Sequence, residues 1–175
     1  LPPFYNHPDY VRVLSQSIQE NLKHKKWEHL LFSYHGIPER HIRKSDITKA
    51  HCKIDKNCCQ TTSKAHRYCY RHQCYETTRQ VAEYLELKEG TYSTSFQSRL
   101  GVDPWLQPYT DQTIARFAKK GVKNMAVVTP AFVSDCLETL EEIGMEAVED
   151  FEEKGGEELH VIPCINTRTD WVNVM

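Results

Sequence analysis

The amino-acid sequence predicts an α/β fold of three layers, in which a four-stranded parallel sheet lies between two layers of helices. Two observations carry that expectation. Four short, mostly apolar runs, at residues 30–34, 92–97, 124–129 and 159–163, each read as a buried strand. Stretches of helical periodicity separate them, and parallel strands need crossover connections of that length. The composition agrees, since 39% hydrophobic and 26% charged residues suit one globular core rather than a disordered chain.

The first element is a helix over residues 8–26, where Tyr10, Val11, Leu14, Ile18 and Leu22 recur at helical spacing. The first strand, Leu30-Leu31-Phe32-Ser33-Tyr34, closes on His35-Gly36-Ile37-Pro38, a turn signal. Helical patterns follow at 73–87, 111–120 and 135–154, between the remaining strands, and a last helix begins near Asp170. Residues 1–28 thus read as a helical lead-in and 29–175 as the α/β domain. Residues 39–74 interrupt the alternation. From Arg40 to His72 there are nine Lys or Arg against Asp46 and Asp55, with four His, four Cys and no clean period, so this stretch reads as an insertion or distended loop.

The net charge of -2 argues against a nucleic-acid partner, and the basic stretch lacks an element to enter a groove or stack bases. No apolar run approaches the ~20 residues that cross a bilayer. The opening Leu1-Pro2-Pro3-Phe4-Tyr5 has neither an initiator Met nor a basic region before an apolar one, so a longer parent chain is expected and a secretory leader is not. Five of the seven cysteines, Cys52, Cys58, Cys59, Cys69 and Cys74, crowd into one stretch. A disulfide scaffold would spread them, so the cluster reads first as a metal site.

Ligands of open parallel sheets bind beyond the carboxyl ends of the strands. His35, Ser98, Arg99 and residues 129–138 fall there. An imidazole at that place can bind a metal or take a proton near neutral pH, although a turn histidine can also be merely structural. Glu138, Glu142 and Glu146 recur every four residues and drift only about 40° per step around an α-helix, forming a line of oxygen ligands for a divalent cation. The competing reading is an exposed acidic face opened by an Asp135-x-x-Glu138 capping box. Against it, like charges at that spacing cost about 0.2–0.5 kcal/mol per pair, and no Lys or Arg intervenes. Trp105, in Asp103-Pro104-Trp105-Leu106-Gln107-Pro108, either covers a flat conjugated ligand or anchors its loop in the core.

Ser33-Tyr34-His35-Gly36-Ile37-Pro38, Gln97-Ser98-Arg99, Asp103-Pro104-Trp105-Leu106, Pro108-Tyr109-Thr110-Asp111, Pro130-Ala131-Phe132-Val133-Ser134-Asp135 and Leu137-Glu138-Thr139-Leu140-Glu141-Glu142 together resemble ferrochelatases, in order and in spacing. The resemblance covers nearly the whole chain and is to the C-terminal half of the family, of the bacterial type with a cysteine-rich insertion. It implies a Rossmann-like, chelatase-like domain and insertion of ferrous iron, as substrate, into protoporphyrin IX. By the same likeness His35 and Glu138 face each other across the porphyrin cleft as the catalytic, iron-handling pair. Glu142 and Glu146 would continue a metal path to the surface, and Ser98 and Trp105 would line the macrocycle pocket.

Cys136 departs from the histidine that many members carry at that place. The resemblance also implies that Cys52, Cys58, Cys59 and Cys69 could hold a [2Fe-2S] cluster, with zinc on the same thiolates or free thiols as the alternatives. Implied partners are protoporphyrin IX and the missing N-terminal half of the same protein; that half's absence would leave the fragment inactive. The expected location is cytoplasmic, with peripheral contact to the inner membrane left open. A cobalt chelatase of a related tetrapyrrole pathway and a non-enzymatic Cys/His metal-binding module are the alternatives.

Overall fold

The computed structural model describes residues 3–55 and 57–174; Leu1, Pro2, Lys56 of the basic stretch and Met175 lie outside the described residues. The chain runs α1 (Pro8–Leu22), β1 (His29–His35), α2 (Glu39–Ser45), a 3-10 turn (Lys64–Tyr68), α3 (Tyr70–Tyr84), β2 (Tyr92–Gln97), α4 (Thr110–Lys119), β3 (Asn124–Val128), a π-helix (Glu138–Glu146), α5 (Ala147–Glu153), β4 (Glu158–Val161) and α6 (Thr169–Val172). The strands form one parallel sheet, as the strand pattern predicted, and the structure orders them β2-β1-β3-β4.

Strict alternation along β1 divides the core in two. Leu30, Phe32 and Tyr34 face α1 and α3, while Leu31 packs with Ile114 of α4 and Phe151 of α5 on the other face. Each of these large side chains is fully or nearly fully buried, contributing about 1.5–3 kcal/mol apiece before conformational entropy is subtracted. The chain leaves β1 for β2 on one side and returns to β3 on the other. Such a sheet opens a crevice between the carboxyl ends of β1 and β3, where ligands bind. His35 ends β1, and the segment after β3 leads to Glu138.

Three local expectations need correction. The basic stretch is not wholly irregular: Glu39–Ser45 is helical, with Glu39 in its first turn, Arg43 and Lys44 in its last, and a Glu39–Arg43 ion pair at 3.0 Å. Only Ile42 of that helix is buried, so there was no apolar period to read. The third helix starts at Tyr70 rather than Gln73, and the first ends at Leu22, short of Lys26. Of the helix expected over 135–154, Glu138–Glu146 is a π-helix, with the Ala147 N–H bonding back to the Glu142 carbonyl. Such i→i+5 stretches are rare and concentrate at functional sites.

Candidate active site

β1 delivers His35 to the edge of the crevice, and the next residue must be glycine. A Cβ on Gly36 would lie 2.9 Å from the Gln97 carbonyl and 3.3 Å from the Trp105 ring, while the Gly36 N–H donates to that same carbonyl at 2.7 Å. The His35 Nδ1 lies 2.6 Å from the Gly36 carbonyl. A carbonyl only accepts, so this bond assigns a proton to Nδ1, and in the neutral imidazole the lone pair is then on Nε2. The imidazole is flanked by Trp105 and Phe132, with ring centroids 6.4 and 6.1 Å away.

The acidic row borders a neighbouring cleft of about 550 Å³ that includes Ser98, Glu138, Glu142 and Glu146 in its lining. His35 and Trp105 lie outside that lining, so the expected site residues fall into an aromatic wall and an acidic cleft. The neighbouring Cys136 thiol holds the Glu138 carboxyl below the ordinary range, the helix backbone adds to this, and the charge of His35 contributes least. Cys136, whose role the sequence left open, is thus a partner of Glu138.

Glu142 is engaged rather than free. Its carboxylate accepts the Ser98 backbone N–H at 2.7 Å and the Ser98 hydroxyl, and the Gln97 amide approaches at 3.4 Å. Glu146 is exposed at the outer end of the row. The expected capping box does not form. The Asp135 carboxylate instead accepts from the Asn166 amide at 2.6 Å, the Cys164 N–H at 3.2 Å and the Thr139 hydroxyl at 3.2 Å, which ties the start of the helix to the chain after β4.

Beneath the site lies a buried polar floor that the sequence reading missed. The Gln97 amide donates to the Glu138 carbonyl at 2.9 Å, and its oxygen accepts from the Ser33 hydroxyl at 2.7 Å. Thr110 bridges Ser33 and Ser95 at 2.8 Å each. Buried hydroxyls and amides this fully partnered hold a unique geometry. Ser33 and Gln97 both stand beside site motifs, and polar residues inside otherwise apolar strands were the available signal. At the mouth, Arg99 makes a two-point ion pair with Asp111, both bonds 2.8 Å, and covers the Tyr109 ring.

The insertion folds around two carboxylates. Asp46 accepts the N–H groups of Thr48, His51 and Cys52, and Asp55 those of Asn57 and Cys58, as short turn-forming Asp residues do. The first of these turns leaves Cys52 packed against the buried cluster that contains Cys69, whose thiol shares its charge with the thiols around it. That sharing pushes the Cys69 thiol down to about 6. The guanidinium of Arg71, 8% exposed, approaches the Cys58 and Cys59 sulfurs at 3.4 and 3.8 Å. Among the described residues, no group of three or more His, Cys, Asp or Glu side chains is arranged to hold a metal ion. No helix of the described residues is long and apolar enough to cross a membrane.

Known proteins show the same chain pattern. The model of the ferrochelatase family matches residues 1–175. Among curated proteins, the chain is 45% identical to a ferrochelatase of Pseudomonas fluorescens and 47% identical to one of Stutzerimonas stutzeri, in both cases over all of this chain and 51% of the relative. A ferrochelatase of Pseudomonas putida is 44% identical over all of this chain and 52% of its own length. The chain therefore spans about half the length of the curated relatives it matches. With the family match running from the first residue to the last over a parallel α/β domain, the chain belongs to the ferrochelatase family.

Proposed function

We propose that this chain is the metal-handling half of an enzyme that inserts ferrous iron into protoporphyrin IX. The observation that carries the reading is a histidine at the carboxyl end of β1, its Nδ1 engaged by the Gly36 carbonyl, next to a cleft lined by Glu138, Glu142 and Glu146. Metallation needs both. Two pyrrole N–H protons must leave as one divalent cation enters, so a proton acceptor and an anionic ligand belong at the same ring. His35 Nε2 takes one pyrrole proton and the other leaves to solvent along the acidic row, while Glu138 steadies the incoming cation and Glu142 and Glu146 extend the oxygen ligands outward. Ser98 and Trp105 bound the macrocycle from the two sides of Glu138.

The exposed Leu100, Val102, Leu137 and Leu140 border this region, and apolar side chains so open support cover by the half of the relatives that this chain does not span. The family match and the curated relatives favour iron insertion over the cobalt alternative and over a module without turnover. A cytoplasmic location, peripheral to the inner membrane or not, belongs to the same proposal.

The thiols of Cys52, Cys58, Cys59 and Cys69 match an iron–sulfur cluster in number and chemistry but are not arranged around a shared centre, and the Arg71 guanidinium would offset a cluster's negative charge. Such a [2Fe-2S] cluster would supply a cross-link of the insertion and a one-electron redox centre. Absorbance and metal content of the complete protein, purified without oxygen, separate cluster from zinc and from free thiols.

The function is tested with the complete protein, ferrous iron and protoporphyrin IX under anaerobic conditions, following loss of free porphyrin. Turnover is expected, and His35→Ala should lower it at least ~100-fold with the fold intact. Wild-type turnover in His35→Ala would remove the role given to His35.

A further inference from the structure

Cys69, Tyr70 and Arg71 are consecutive, and their side chains act at three places at once. Cys69 is buried in the core cluster against which Cys52 packs, and Arg71 donates to the Cys58 sulfur at 3.4 Å. Tyr70, the first residue of α3, turns the other way and donates its hydroxyl to the His35 backbone carbonyl at 2.8 Å. β3 pairs with β1 only as far as Phe32, so the end of β1 that carries His35 has a strand on one side alone. The Tyr70 hydroxyl supplies a second hold there. Burial pushes its phenol far above the ordinary value, so the hydroxyl keeps its proton and stays a donor.

We infer that Tyr70 is a positioning residue for His35, and that through it the folding of the cysteine insertion sets where the imidazole points. The inference rests on the role proposed for His35. The line of contacts is continuous: Asp46 holds the Cys52 N–H, Cys52 packs against the core cluster that contains Cys69, and the residue after Cys69, Tyr70, reaches β1 with its hydroxyl. Geometric continuity alone does not establish coupling, so the test measures coupling directly. A small displacement of a reacting group can cost a large factor in rate while leaving substrate binding intact.

The experiment uses the complete protein with labelled histidine. The His35 ring signal is followed by NMR alongside iron-insertion kinetics in wild type, Tyr70→Phe, Asp46→Asn and the double variant. Tyr70→Phe should displace the His35 signal and lower kcat about tenfold, with KM for porphyrin within about twofold. Asp46→Asn, which loosens the insertion, should also move the His35 signal, and should move it far less once Tyr70→Phe is present. An unmoved signal with unchanged kcat in a folded Tyr70→Phe protein overturns the inference, as does an equal Asp46→Asn effect in both backgrounds. Should Tyr70→Phe fail to fold, difluorotyrosine at position 70 keeps the ring and alters only the donor; a His35 signal indifferent to it again overturns the inference. If the His35 signal follows Tyr70 while the wild type inserts no iron, the positioning stands and the functional reading falls.

Discussion

Glu142 holds Ser98. Its carboxylate accepts both donors of that residue, whose φ of 63° lies in the left-handed region that costs a residue with a side chain. A member of the acidic row is therefore also the latch of the loop after β2, and anything that draws Glu142 toward a cation also loosens Ser98. The three glutamates should not behave as equals. Glu142→Ala is expected to destabilise the fold by about 1.5–3 kcal/mol, because it leaves a charge-assisted bond unmade. Glu146→Ala, at the exposed end, should stay within about 0.5 kcal/mol. Urea unfolding of both variants checks this, and similar midpoints would remove the latch.

Gly36→Ala should destabilise the domain by about 1–3 kcal/mol, since the added methyl meets the Gln97 carbonyl and the Trp105 ring. Backbone atoms give way least, so the ends of β1 and β2 must part. The same variant should displace His35, whose Nδ1 bond is to the Gly36 carbonyl. A stability equal to wild type would show that the strand ends separate freely.

The Cys136 thiol is the largest influence on the Glu138 carboxyl. Cys136→Ala should let that carboxyl rise toward the ordinary ~4.3 of a glutamic acid. Glu138 remains ionised at neutral pH in either protein, so the change is visible only in acid. An NMR titration of Glu138 reads it. A midpoint that does not move would transfer the effect to the helix backbone, the next cause in size.

His29 is buried beside the Phe117 ring, with Nε2 2.8 Å from the Ser93 hydroxyl, and desolvation brings its imidazole down to about 4. In the unfolded chain the group titrates near ~6.5. Between these values the unfolded state binds the extra proton, so stability falls as pH drops from ~6.5 toward 4 and is complete above that window. The slope from this one group approaches about 1.4 kcal/mol per pH unit. His29→Gln can keep a bond to Ser93 and should flatten the dependence. An unchanged slope in the variant would assign it to other groups.

The sheet and the site were legible in the sequence to different depths. Buried parallel strands must be short apolar runs, and crossover helices must carry an apolar stripe, so strand number, strand order along the chain and the gathering of His35, Ser98 and Glu138 at one sheet edge could be read from pattern alone. The family's motifs lie in those same segments. Residues whose role depends on a distant partner carried no such mark. Nothing in the spacing shows that Glu142 latches Ser98, that Asp135 ties down Asn166 instead of capping its own helix, or that the Cys136 thiol holds the Glu138 carboxyl down. Nor does it separate a π-helix from an α-helix, because the same apolar and acidic positions satisfy both. The insertion kept the most hidden, including the hydroxyl of Tyr70 on the His35 carbonyl. Local periodicity records which face of an element is buried, whereas a hydrogen bond between residues 35 positions apart exists only once the chain has folded back upon itself.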